Sequence, residues 1–220
     1  MKKSILRVLV LVLIAALFLG AQSVAFAEES AKPFLPTESA FPYKSDPDAS
    51  NGYGLVIQNY TEDTVLKKVK SSDPSVVKAS WTKKDGECLN IQLQKPGTAT
   101  ISGVIYQGGK KVGSFKTKAT VYKYESPVKS FKLGSTDYAK EFKNKDQYYL
   151  TLKKTKTLKV SIKPASGWKL SWIEFYEGED VKEIKNNTKV TFRNSWNYVN
   201  VFFYNEKLGR DESVVIYVQK

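Results

Sequence analysis

From residue 53 onward, apolar and polar residues alternate one by one in short runs separated by turn signals. Leu89, Ile91 and Leu93 alternate with Cys88, Asn90 and Gln92. Phe115, Thr117, Ala119 and Val121 alternate with Lys116, Lys118, Thr120 and Tyr122. A period of two predicts strands with one buried and one solvated face. Leu89, Ile91, Ile101 and Val121 are expected on the buried side. Asp73-Pro74, Lys84-Asp85-Gly86, Pro96-Gly97 and Gly108-Gly109 punctuate the series. The last of these joins residues 98–106 to residues 111–122 as an expected hairpin. No stretch carries a helical period of useful length.

Glu125-Ser126-Pro127 marks a candidate boundary, after which a second series begins. Leu158, Val160 and Ile162 alternate with polar residues. Trp168 to Trp172 alternates, and the phase then shifts to favour Ile173 and Phe175, which predicts a bulge. Val199, Val201 and Phe203 lead into the turn 206–211, and Val214, Ile216 and Val218 return from it as a closing hairpin. Regular short strands of this kind predict β-sandwiches. The expected fold is therefore all-β: two tandem immunoglobulin-like sandwiches, at 51–125 and 127–220, the second assigned from strand pattern alone.

The N-terminus has a different character. Lys2, Lys3 and Arg7 precede an unbroken apolar run, Val8 to Leu19, and Ala25-Phe26-Ala27 follows as a small-x-small site. Residues 1–27 are thus expected to be a cleaved signal peptide. The 12-residue apolar run is short of the roughly 20 residues a spanning helix needs, so the mature chain is expected to lack a transmembrane segment. Residues 28–50 hold four prolines among Ser and Ala. They are expected to form a mostly irregular, extended linker with room for one short strand near Phe41 to Tyr43.

Cleavage removes three basic residues and no acid, so the formal charge falls from +13 to +10. Nearly all the positive charge is lysine, with only Arg193 and Arg210 remaining. Such a field favours anionic partners, although lysines at alternate strand positions also keep edges from pairing between molecules. Cys88 is the one cysteine, so no intrachain disulfide forms, and its phase opposes that of Leu89.

Ser71-Ser72-Asp73-Pro74-Ser75-Val76-Val77, followed by Lys95-Pro96-Gly97-Thr98-Ala99-Thr100-Ile101, resembles the bacterial group 2 immunoglobulin-like domain over roughly residues 53–124. The resemblance implies a sandwich that serves as an extracellular spacer or adhesion module, without catalytic residues.

The chain has no histidine, which removes Ser-His-Asp and Cys-His catalysis and the usual zinc ligand sets. Asp46-Pro47-Asp48 and Glu177-Gly178-Glu179-Asp180 lack calcium-loop spacing. No cofactor, metal or catalytic group is expected. A two-carboxylate glycosidase needs no sequence motif, but two small sandwiches offer it no evident cleft. The candidate binding residues are Trp168, Trp172, Trp196 and Tyr198, with Phe202 and Tyr204 in outward phase, and the lysine-rich segment Lys153, Lys154, Lys156 and Lys159. Three tryptophans exceed what one small core absorbs. The competing explanation is core filling plus cross-strand pairing.

The expected function is a secreted or cell-surface, non-catalytic binding or adhesion protein. The alternative is a carbohydrate-binding protein that uses an exposed aromatic strip on the second sandwich. Expected partners are a cell-wall polymer, a glycan or a surface protein, with no nucleic acid. No sorting motif or apolar tail follows Val218, so retention at the surface is expected to be non-covalent. Mass spectrometry of the secreted protein should give a mature N-terminus near Glu28; a retained 1–27 segment would rule out cleavage.

Overall fold

A computed structural model describes residues 31–193 and 196–219; the expected signal peptide lies outside them. The first seven strands are β1 (Glu38–Tyr43), β2 (Gly52–Val56), β3 (Val65–Ser71), β4 (Val77–Ser80), β5 (Cys88–Leu93), β6 (Gly97–Gln107) and β7 (Lys110–Lys123). They form two sheets, ordered β1-β7-β6-β3 and β2-β5-β4. β1 runs parallel to β7, and the other pairings are antiparallel. Three strands face a sheet of the third, sixth and seventh strands, to which the first strand adds in parallel. That is the arrangement of an immunoglobulin-like sandwich.

The inward alternation closes one core. Leu89, Ile91, Ile101 and Val121 are all buried in it, as their phase predicts, with Leu55, Leu66, Val77 and Phe115. Gly108 and Gly109 adopt positive φ at the tip of the β6–β7 hairpin, the conformation a tight hairpin turn requires. The segment expected to be a mostly irregular linker with one short strand near Phe41 to Tyr43 contributes that strand as six-residue β1, and adds Leu35 and Phe41 to the core. Pro42 is accommodated because β1 lies at the sheet edge, where a missing N–H is tolerated.

The two motifs behind the family resemblance form one structural unit. Asp73 Oδ1 accepts from Ser75 N at 2.9 Å and from Ser75 Oγ at 2.6 Å, which closes the turn. Ser72 N donates to Thr100 O at 2.9 Å, and Thr100 N donates back to Ser72 Oγ at 2.8 Å. A Cβ on Gly97 would meet Val76 Cγ2 at 2.9 Å, so the second motif needs glycine where the first lays its valine.

The remaining strands are β8 (Val128–Leu133), β9 (Thr136–Asp137), β10 (Gln147–Thr151), β11 (Lys156–Pro164), β12 (Lys169–Glu177), β13 (Asp180–Ile184), β14 (Lys189–Phe192), β15 (Asn197–Asn205) and β16 (Arg210–Gln219). A five-stranded sheet, β10-β16-β15-β12-β13, faces a four-stranded one, β14-β11-β8-β9. β10 runs parallel to β16, as β1 does to β7. The expected bulge is present: register slips between Leu170 and Trp172, and Ile173 and Phe175 enter the core with Val160, Val199, Phe203 and Ile216. The chain is therefore all-β, with two tandem immunoglobulin-like sandwiches, each around its own core.

A polar cluster joins the sandwiches. Lys44 Nζ lies 2.6 Å from Asp146 Oδ2 and donates to Ser50 O at 3.2 Å. Tyr122 Oη donates to Glu212 Oε1 at 2.7 Å, and the Arg210 guanidinium sits 3.9 Å from the Tyr122 ring centre. Lys145 pairs with Asp46 at 3.3 Å. Burial alone would lower the Lys44 pKa, but Asp146 and Tyr53 outweigh it and hold the ammonium above its usual value. Burial pushes the Glu212 carboxyl up.

Two substitution sets test this architecture. Leu89→Ala or Ile101→Ala should cost about 2–5 kcal/mol, as emptying a packed site does; unchanged urea midpoints would mean a strand phase wrong by one residue. Lys44→Met strands Asp146 and should cost about 1–3 kcal/mol. Lys44→Met/Asp146→Leu should recover part of that loss, because removing both charges leaves neither unpaired.

Candidate functional site

The outward positions of the five-stranded sheet carry a cross-strand aromatic row. Tyr149 on β10 is in register with Tyr217 on β16, Tyr217 with Tyr198 on β15, and Tyr198 with Tyr176 on β12. Ring centroids along the row are 5.0, 5.4 and 4.0 Å apart. Two registers further along, Trp172 stacks on Phe202 at 4.3 Å with ring planes 16° apart. Inward neighbours fix this arrangement: Ile216, Val199 and Phe175 bury alternate positions of the same strands.

The spacing decides which part of each ring meets solvent. Nearly parallel rings 4.0–5.0 Å apart are too close to lie side by side in one plane. They stack face against face, an arrangement aromatic pairs favour when offset. Much of their face area is spent on one another, which leaves edges and hydroxyls outward. Glu174 sits between the two groups and accepts from Trp172 Nε1 at 3.2 Å and Tyr176 Oη at 2.9 Å. The bond to Glu174 pushes the Tyr176 pKa up to about 12, and burial raises that of Tyr217.

This face also departs from the rest of the chain in charge. Between Trp172 and Tyr176 on β12 and across the outward positions paired with them, the face holds Glu174 and Glu183 and no lysine, and Asp211 stands outward opposite Tyr204. Lys169 on the same strand is outward, opposite Tyr204, and is paired with Glu206 at 2.5 Å.

The expected site residues do not form one constellation. Trp168 is only 8% exposed and belongs to the core, with the Arg210 guanidinium 5.7 Å from its ring centre. Trp172 is 41% exposed and Trp196 62%; Tyr198 is half-buried within the row. Lys153 and Lys154 lie in the connection after β10, and Lys156 and Lys159 lie on β11, in the opposite sheet. Tyr149, Tyr176 and Tyr217 were not among the expected residues. Their outward phase is visible in the sequence, but their alignment depends on register across four strands.

Concave surface is modest. A cleft of about 310 Å³ at the sandwich junction is lined by Pro42, Lys44, Tyr53, Asp146, Phe202 and Glu212, among others. An open trough of about 650 Å³ crosses Gly52, Gly54, Lys78, Asn90 and Gln92 on the first sandwich. Among the described residues, no group of three or more His, Cys, Asp or Glu converges to hold a metal, and no helix is long and apolar enough to cross a membrane.

No protein-family model matches the chain, and no curated protein matches it in sequence. Solved structures of multidomain proteins match over most of its length. Dscam1 isoform 1.9, with four N-terminal Ig domains, is 10% identical with a TM-score of 0.29, over 86% of this chain and 51% of that one. Drosophila N-cadherin EC1-3 is 12% identical with a TM-score of 0.28, over 86% and 67%. Human mucin-like protocadherin EC1-2 is 7% identical with a TM-score of 0.24, over 83% and 94%. The chain thus spans about half the length of the Dscam1 structure. Likenesses this distant carry no argument of their own, and the immunoglobulin-like assignment rests on strand order and pairing.

Proposed function

We propose that this is a secreted or cell-surface, non-catalytic binding and adhesion protein whose contact surface is the tyrosine face of the second sandwich, and that its partner there is a protein. The supporting observation is the row Tyr149–Tyr217–Tyr198–Tyr176, lysine-free on a lysine-rich chain. Tyrosine supplies large, rigid, amphipathic contact area at low entropy cost and is enriched in protein interfaces. Lysine is depleted from such surfaces. The mutual stacking of the rings weighs against sugar binding, which needs open ring faces.

The first sandwich serves in this proposal as a bacterial group 2 immunoglobulin-like spacer, consistent with its coupled Ser72 and Thr100 motifs. The division near residues 125–127 separates it from the contact module. The alternative, glycan binding, draws on the exposure of Trp196.

The test is capture by the immobilised mature chain from purified wall, a glycan panel and culture proteins. Tyr149→Ser/Trp172→Ser removes two well-exposed rings and should cost roughly 2 kcal/mol or more of binding to the captured protein, as hot-spot truncation does. Raised salt should change that binding little. A glycan as the sole ligand, lost on Trp196→Ala, would replace this reading with sugar recognition. Capture by the first sandwich alone would refute the division of labour.

A further inference from the structure

We propose that the outer face of the four-stranded sheet β14-β11-β8-β9 is a second, independent binding surface, and that its ligand is a linear polyanion bearing phosphate or carboxylate groups. Lys159 on β11 stands directly in register with Lys189 on β14. Lys163 lies one lysine-to-lysine step further along β11, opposite Ser130, and Lys132 on β8 faces Ser161. All four lysines are exposed. Among the described residues, none of Lys159, Lys163 and Lys189 forms an ion pair.

The chain does little to neutralise this patch. No acid among the described residues stands in register with Lys159, Lys163 or Lys189, and Asp137, in register with Lys132, offsets only that one charge. Its Oδ1 accepts from Phe131 N at 3.1 Å and Ala139 N at 3.0 Å, and its Oδ2 from Ser130 Oγ at 2.7 Å. Like charges directly opposite each other on neighbouring strands destabilise a sheet. The Lys159–Lys189 pair therefore carries a cost that a counter-charge from outside would relieve.

The layout suits a polymer better than a single head group. Neighbouring strands lie about 4.8 Å apart, and four residues along a strand span about 13 Å, so the lysines form a flat field without a cavity. Lysine is a mobile point charge on a flexible stem, able to follow a linear chain of charges without imposing a fixed geometry. The opposite sheet carries Glu174, Glu183 and Asp211 outward and would repel the same ligand, so the sandwich is sided.

Inorganic polyphosphate and polygalacturonate serve as the phosphate and carboxylate probes for the full mature chain. Affinity is measured by fluorescence anisotropy over a salt series. At least one polymer should bind, more weakly as salt rises; which one binds identifies the anionic group. Lys159→Gln/Lys163→Gln/Lys189→Gln should weaken binding roughly tenfold at low salt and flatten the salt dependence, because each lost contact releases fewer counterions. Its melting temperature should be unchanged or higher, since a like-charge pair is relieved. Lys70→Gln/Lys78→Gln/Lys84→Gln removes the same charge from exposed positions on the first sandwich and should weaken binding by less than about twofold. Equal losses in the two triple variants, or no binding of either polymer at low salt, would overturn the proposal. Tyr149→Ser/Trp172→Ser should leave polyanion binding intact; its loss there would overturn the independence of the two faces.

Discussion

Register across the second sandwich is the constraint on which its two faces depend. Side chains in a strand alternate strictly, so a slip of one residue turns every outward tyrosine inward and every inward valine outward. Val199, Val201, Phe203, Val214, Ile216 and Val218 are buried on adjacent strands, and this core fixes the alternation. It is also what makes four tyrosines from four separate strands meet. The bulge between Leu170 and Trp172 belongs to the same constraint. Without it, β12 would keep the phase of its first residues, and Trp172 and Tyr176 would lose their places on the outer face.

Much of this was legible in the sequence because burial in a sandwich leaves a period-two trace. The core positions Leu89, Ile91, Ile101 and Val121, the bulge and the closing hairpin all follow from that trace. Within segment 28–50 the short strand expected near Phe41 to Tyr43 is present as β1 and starts earlier, at Glu38; proline signals a break in ladder pairing, while an edge strand in parallel with β7 needs only one side of its ladder. The binding residues were legible only in part. Composition drew attention to tryptophan, and the fold then sent Trp168 to the core and left Trp172 on the surface. Tyr149, Tyr176 and Tyr217 are individually unremarkable in the sequence, and only cross-strand pairing gives them a common role. The lysines show the converse: Lys153, Lys154, Lys156 and Lys159 are close in sequence, yet Lys159 finds its nearest lysine in register at Lys189.

The junction shows how polar and charged groups link two small cores. Lys44 reaches Asp146 of the second sandwich, and Glu212 reaches Tyr122 of the first, so each sandwich supplies one charged group to the other. Charged hydrogen bonds of this kind require defined geometry, and losing one partner is more costly than losing both. Arg210 lies against Tyr122 and near Trp168, which ties the junction to the second core.

The parallel pairing of β1 with β7 has a mechanical consequence. The chain enters the first sandwich through β1 and leaves through β7, and the two strands run in the same direction through six register pairs, from Glu38↔Lys118 to Tyr43↔Lys123. A pull on the two ends drives these strands past each other along their length. The hydrogen bonds between them are then loaded together, in shear, and do not open one after another from an end. Entry into the second sandwich is through β8, which pairs antiparallel with β11, so the two units present different arrangements to the same tension. A protein stretched between a surface and a partner would reach its yield point at whichever of these strand pairs gives way first.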